Sequence, residues 1–328
     1  MKYLKYLFLL LFTACSLIEE PTDPFDFFWD EMDRKYVYFD EKGVDWNAVY
    51  ATYKPQIKTG SDEEYIQVFG EIVDLLKDGH VWVQAPTTYI SYNVCRARGE
   101  GEIDMYTYTG YNPSRLEYLH NDIGYIVQLD NSVTYIAHHT FFPTFNYRKF
   151  QEQLSSFSYS NGIIVDMRFN SGGSASHLYE LAACFFSGER TLLYERYKVG
   201  SGHNDFSNFL PINVVGRNIV SEEIPIVILT GCGTYSAANF FAACVKYLPN
   251  VRLMGTQTGG GGSGRPIIIL PNGWRFAYAY SPTYDIYYNS IEPGVEPHYL
   301  IPTTSREEYE ETGIHKLMEF AYNYLLNQ

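Results

Sequence analysis

Pro225-Ile226-Val227-Ile228-Leu229 runs into Thr230-Gly231-Cys232-Gly233-Thr234-Tyr235-Ser236-Ala237-Ala238-Asn239, and then into Phe240-Phe241-Ala242-Ala243-Cys244-Val245. Five apolar residues bounded by turn formers read as a buried parallel strand. From Ala237 to Tyr247 the apolar residues fall at helical spacing among good helix formers. Val251-Arg252-Leu253-Met254-Gly255 reads as a further strand. The unit is therefore a βαβ crossover, which places Ser236 where a strand hands over to a helix. A hydroxyl there faces solvent, beside the unpaired N–H groups of the first helical turn. Exposure and nearby donors for an oxyanion are what a serine nucleophile requires. A plain helix N-cap serine has the same local pattern.

Working outward, the same alternation recurs. Gly162-Ile163-Ile164-Val165-Asp166 is a second buried strand. It leads through Arg168-Phe169-Asn170-Ser171-Gly172-Gly173 into a helix from about Ser176 to Phe186. Strands are expected at residues 123–127 and 133–137, with a short helix from Tyr147 to Phe157. Residues 267–270 and 275–278 flank Pro271-Asn272-Gly273, a hairpin signal. The segment from Ser305 to Leu326 reads as helix, and residues 190–222 give no clear pattern.

Upstream, three helices are expected in residues 24–80. Asp23 caps the first with Pro24 at its first position, and Asp45 caps the second. Ser61-Asp62-Glu63-Glu64 forms a capping box for the third, which ends at Lys77-Asp78-Gly79 with Gly79 at C′. His80 follows, then the alternating Val81-Trp82-Val83.

The chain has 328 residues, enough for a core domain plus a small one. A net charge of −14 argues against a nucleic-acid partner, because phosphate neutralisation needs Lys and Arg. The 31 tyrosines suit peptide or sugar contact and serve buried strands equally well. Lys2 and Lys5 precede the short apolar run Leu7–Phe12, and Ala14-Cys15 ends it. Residues 1–15 therefore read as a processing segment. Small residues before a cysteine resemble a bacterial lipoprotein signal, which implies a lipidated Cys15, an acidic tether over 16–23 and an envelope location on either membrane face. An ordinary secretory peptide cleaved near Ala14 is the alternative. Of the remaining cysteines, Cys95, Cys184, Cys232 and Cys244, no pair has metal-ligand spacing, and their three possible pairings stay open. Cys184 and Cys244 read as small buried hydrophobes. His138-His139 and the other histidines also lack ligand spacing, so neither a metal nor a cofactor is expected.

Phe28-Trp29-Asp30 to Tyr50, Leu76-Lys77-Asp78-Gly79-His80, Val165 to Gly173, Tyr235-Ser236-Ala237-Ala238 and Gly255-Thr256-Gln257-Thr258-Gly259, in this order, resemble the S41 peptidases. These are the tail-specific or C-terminal processing proteases and their tricorn-core relatives. The resemblance implies an α/β fold: a ClpP/crotonase-like core over residues 81–328, behind an N-terminal three-helix bundle over 24–80. The stretch 85–130 is too short for the PDZ domain many relatives carry. It implies a polypeptide substrate and Ser236 as nucleophile. Where the Ser–Lys branch has its lysine this chain has Gly260, and Arg265 cannot replace it, since guanidinium does not deprotonate. The tricorn-like branch uses a histidine, and His80 stands in that place as general base. Glu292 matches the glutamate that orients the base there, while Gly79 stands where an intermediary serine would lie. The oxyanion donors implied are the N–H of Ala237 and that of Gly172 or Gly173. Asp166 and Arg168 read as a pair holding that loop, and Asn239 replaces a common acidic residue. The run Gly259–Gly264 reads as a mobile loop over the site. A second reading is a weak or inactive binder of peptide, lipid or glycan on the same fold, as in interphotoreceptor retinoid-binding protein.

Overall fold

The computed structural model describes residues 22–98, 115–130, 132–302, 304, 306–312 and 315–328. The processing segment with Cys15, and most of the tether, lie outside the described residues. Among the described residues no helix is long and apolar enough to cross a membrane.

The central sheet is built from the strands that carry the apolar runs. Its order across is Tyr299–Leu300, Val251–Gly255, Ile226–Thr230, Gly162–Asp166, Val133–His138, Gly124–Gln128 and Arg115–Tyr118. The first five are mutually parallel, and the last two are antiparallel additions. Ile226 pairs with Val251 on one side, and on the other stands beside Ile163. Both faces are covered, which explains strands that are apolar throughout. On one face, helices Tyr147–Leu154, Ala175–Ala183 and Ala237–Val245 bury Ile163, Val165, Ile226, Ile228, Phe141 and Phe241. On the other, Lys316–Leu326 packs Leu317, Met318, Ala321 and Leu325 against Ile164, Val227 and Leu229.

The N-terminal helices are Pro24–Lys35, Phe39–Lys42, Trp46–Tyr53 and Asp62–Leu76. Asp23 accepts from the N–H groups of Phe25 and Asp26, Asp45 from Ala48, and Ser61 from Glu64. Each therefore satisfies orphan donors of its helix. The Glu64 carboxylate does not return to Ser61; it accepts from the N–H groups of Lys58, Thr59 and Gly60. Phe25, Phe28, Phe69, Ile72 and Leu76 pack on the sheet Ile267–Ile269, Arg275–Ala277, Trp82–Gln84 and Tyr89–Ser91. Its first two strands are the expected hairpin.

Three local expectations change. The left-handed residue ending the third long helix is Lys77, at φ 50°, not Gly79. The C-terminal helix is two, Arg306–Thr312 and Lys316–Leu326. Residues 190–222 are not irregular: Glu189–Glu195 and Leu210–Val215 pair antiparallel, joining Ser281–Tyr284 and Ser263–Gly264 in a third sheet.

Candidate active site

Ser236 sits at the turn between Ile226–Thr230 and Ala237–Val245. Its backbone is at φ 53°, ψ −121°. A β-carbon in this region is strained, and such strain persists only when the surroundings over-determine it. Here they do. Tyr235 N–H donates to Asn170 C=O at 3.0 Å, and Ser236 N–H to Gly260 C=O at 2.9 Å. Thr234 Oγ1 donates to Met167 C=O at 2.8 Å. A disulfide joins Cys232, four residues before Ser236, to Cys95. Cys184 and Cys244 are free and buried. The glycine run 259–264 is part of this frame rather than a mobile loop. Gly260, Gly261 and Gly262 are buried, Gly259 N–H donates to Thr234 C=O, and Tyr38 Oη donates to Gly262 C=O.

His80 arrives from the helical bundle. Asp78 accepts from His80 N–H at 2.7 Å, and from Tyr36 Oη at 2.9 Å. The short turn after Lys77 is thereby fixed, and the chain continues into Trp82–Gln84. The result places His80 Nε2 2.9 Å from Ser236 Oγ, across 156 residues of sequence. With Ser236 donating to Nε2, the proton of the neutral ring is on Nδ1. His80 is 2% exposed. Burial pulls its pKa down, to about 4; Asp78 opposes, while Arg265 and Lys42 add to the fall. The ring is thus neutral near pH 7, able to accept a proton.

The 166–173 loop lies opposite. Asp166 and Arg168 form a buried pair, with Arg168 Nη2 2.6 Å from Asp166 Oδ2. Gly172 and Gly173 both have left-handed φ, 108° and 139°. Gly172 and Gly173 were the alternatives for the second oxyanion donor, and the Gly172 N–H is occupied, donating to Asn170 Oδ1 at 3.0 Å. Gly173 N–H and Ala237 N–H have no acceptor among the described residues, and both residues line the cleft at Ser236. Two unpaired donors beside a nucleophile are a place for an oxyanion.

Glu292 lies behind this site and makes no hydrogen bond to His80. Its carboxylate faces Lys42 Nζ at 2.9 Å, and accepts from Gly262 N–H at 2.8 Å. Burial pushes its pKa up, to about 8, with Asp78 adding; Lys42 and the Gly262 N–H oppose. Asn239 is wholly buried. Its Nδ2 donates to Ile291 C=O at 2.9 Å, and its Oδ1 accepts from Thr258 Oγ1 at 2.6 Å. Those two bonds need one donor and one acceptor on the same side chain, which a carboxamide supplies and a carboxylate does not.

The cleft is about 620 Å³. Sequence reasoning did not identify its apolar wall: Leu178, Tyr179, Ile212 and Phe240, with Phe142 on the rim. Leu178 and Phe240 carried a signal, being apolar positions one helix turn into the two helices that follow the glycine and serine turns. Ile212 came from the stretch whose pattern was not legible.

A model of peptidase family S41 matches residues 132–301, just over half of the chain. A model of the tricorn protease C1 domain matches residues 19–78. No curated protein matches the sequence. Among solved structures, a candidate peptidase from Parabacteroides merdae ATCC 43184 is 25% identical, with a TM-score of 0.76 over 94% of this chain and 97% of that one. Mature CPAF is 13% identical at a TM-score of 0.72, over 94% and 98%. A lipoprotein from Streptococcus agalactiae is 19% identical at 0.59, over 93% and 96%. The last two share the fold. With the family model spanning the five parallel strands of the central sheet and both glycine and serine turns, the chain belongs to peptidase family S41.

Proposed function

We propose that this peptidase is a serine endopeptidase that cleaves polypeptides through an acyl-enzyme, with Ser236 as nucleophile and His80 as general base. The observation that carries the reading is the 2.9 Å approach of His80 Nε2 to Ser236 Oγ at a strained strand-to-helix turn. His80 takes the Ser236 proton as Oγ bonds to the peptide carbonyl carbon. The oxyanion is met by the N–H groups of Ala237 and Gly173. His80 then gives its proton to the leaving amine as the C–N bond breaks, and water reverses the sequence to free the acid. Glu292 acts indirectly, holding Lys42 and the Gly262 N–H in place behind the base, and Lys42 helps keep the ring of His80 neutral.

Similarity to the photosystem II D1 C-terminal processing protease, 16% identical at a TM-score of 0.50, is compatible with action near a substrate's C-terminus. Similarity to the streptococcal lipoprotein supports the lipid anchor inferred at Cys15, and with it an envelope location. The test is proteolysis of unfolded casein by the wild-type protein, Ser236→Ala and His80→Ala, alongside labelling with a fluorophosphonate. Cleavage and labelling that both substitutions abolish are expected. Casein left intact together with no labelling would leave the cleft as a binding site only.

A further inference from the structure

His80 Nδ1 is buried and has no hydrogen-bond partner among the described residues. This is a demanding place for an orphan. If Nε2 accepts from Ser236, Nδ1 carries the proton. Once Nε2 is protonated too, the ring is a cation whose Nδ1–H must find an acceptor or pay the cost of a desolvated donor. Asp78 does not serve here: its carboxylate accepts from the His80 backbone N–H and Tyr36 Oη and makes no hydrogen bond to Nδ1. Glu292 does not serve either: it is turned to Lys42 and the Gly262 N–H and makes no hydrogen bond to Nδ1.

A second buried orphan sits on the ring packed against His80, and the two atoms are not hydrogen-bonded to each other in this arrangement. The Tyr235 hydroxyl also has no partner among the described residues, and the Tyr235 ring stands edge-on to His80 with centroids 5.1 Å apart. Its location is set by a missing side chain. A β-carbon on Gly79, next to His80 in sequence, would lie 2.7 Å from the Tyr235 hydroxyl. A β-carbon on Gly261 would lie 2.6 Å from the phenol ring on another side. Two glycines thus shape the slot in which this hydroxyl sits, and no packing reason requires a polar atom there, since phenylalanine fills the same ring space.

We propose that Tyr235 is the positioning residue of the base: its hydroxyl accepts the hydrogen bond of His80 Nδ1–H as Nε2 takes the Ser236 proton. The proposal rests on the Ser236–His80 reading. The phenol is suited to accept without giving up its own proton. Burial first, then the charges of Asp78 and Glu292, hold its pKa well above the ordinary tyrosine value. The other charges bearing on His80 are Arg265 and Lys42, both of which disfavour the imidazolium. A neutral acceptor at Nδ1 offsets them.

The experiment measures peptide cleavage from pH 3 to 9 for the wild type, Tyr235→Phe, Gly79→Ala, Ser236→Ala and His80→Ala, with thermal melts of each. Tyr235→Phe is expected to lower kcat ten- to hundredfold with KM within twofold. Loss of the acceptor destabilises the imidazolium, so the acid limb of kcat/KM moves to lower pH. A merely structural tyrosine would change the melt without moving that limb. Gly79→Ala should lower kcat by displacing the hydroxyl, and should cost less in the Tyr235→Phe background. As a readout independent of turnover, the Nδ1–H proton of His80 in Ser236→Ala protein should be a sheltered downfield NMR resonance, shifted or lost with Tyr235→Phe. Unchanged kcat and acid limb in Tyr235→Phe, with Ser236→Ala and His80→Ala inactive, would overturn the role of Tyr235 and leave the Ser–His reading standing. Full activity in Ser236→Ala or His80→Ala would overturn both.

Discussion

Gly172 meets Ser236 so closely that a β-carbon on it would stand 2.9 Å from both Ser236 Cβ and the Ala237 nitrogen. The loop after Gly162–Asp166 and the turn after Ile226–Thr230 therefore touch at Ser236. Neighbouring parallel strands bring them there, since both loops leave the same end of the sheet. In open α/β sheets, binding crevices lie outside the carboxyl ends of the strands, the end from which both loops leave.

Gly172→Ala is the first prediction. The added methyl obstructs Ser236, and φ 108° is costly for any residue with a β-carbon. Activity on casein should fall at least a hundredfold. Thermal unfolding should report a loss of about 1–3 kcal/mol, the scale of one strained residue. Near wild-type turnover would mean that the two loops move apart in the working protein.

The second prediction concerns pH. A base with its pKa lowered to about 4 stays neutral through mildly acidic solution, so kcat/KM should hold below pH 6 and fall only as pH drops through about 4. Stability runs the same way. Unfolded histidine takes up a proton near pH 6.5, while folded His80 does not until about 4. Between those values the unfolded state binds more protons, and stability falls with falling pH by up to about 1.4 kcal/mol per pH unit from this group. His138, buried and lowered to about 3, adds a contribution of the same sign. Denaturant melts at pH 7, 6 and 5 should show the slope, and His80→Ala should reduce it. An activity midpoint near 6.5 would mean that the ring is solvated in solution.

How much of this was legible depended on distance along the chain. The βαβ unit around Ser236 could be read because two periodicities meet at one turn. The bundle could be read from Asp23, Asp45 and Ser61, whose caps are local. Strands Glu189–Glu195 and Leu210–Val215 were hidden: the first has a register shift between Thr191 and Leu193, and the second carries Pro211 with Leu210 and Val215 exposed. Partnerships across long separations have no local signal, so His80 with Ser236 came from resemblance alone, and the pairing of Cys95 with Cys232 stayed open. Gly79 looked like a helix stop because glycine usually is one there. The space it leaves for the Tyr235 hydroxyl is visible only in three dimensions.

The Cys95–Cys232 disulfide gives the third prediction. It closes a separation of 137 residues. Loop entropy of that length corresponds to about 5 kcal/mol of stabilisation in the chain-entropy view. It also ties the Ser236 turn to the Val94–Ala97 helix, beyond which Arg98 donates to the carbonyls of Thr258 and Pro293. Reduction, or Cys95→Ser, should lower the melting temperature and slow turnover together. A melt unchanged by reductant under conditions that free both thiols would remove the disulfide from any account of stability.

Asn239→Asp is the fourth. One carboxylate oxygen would face the Ile291 carbonyl that now accepts from Nδ2, inside the core. An uncompensated buried charge and a lost donor should cost about 3–5 kcal/mol, with a loss of soluble protein. Asn239→Asp with a melt equal to wild type would show that the Thr258 and Ile291 contacts contribute little to holding the turn.

The fifth prediction is the side chain accepted beside the scissile bond. Leu178, Tyr179, Ile212 and Phe240 form an apolar wall within reach of Ser236, and Glu195 lines the same cleft. Burial of a leucine side chain in place of alanine removes about three carbons from water, worth about 2 kcal/mol at about 0.8 kcal/mol each. That predicts roughly thirtyfold higher kcat/KM for leucine than for alanine on the acyl side, and poor cleavage after aspartate or glutamate, which would meet Glu195. Ala175 lies exposed on the edge of this wall. Ala175→Phe should fill the recess without disturbing the core, reversing the order so that alanine exceeds leucine. A peptide library cleaved by wild type and Ala175→Phe with the same preference would place the selecting contacts elsewhere in the cleft, on the side of Tyr89 and Tyr280.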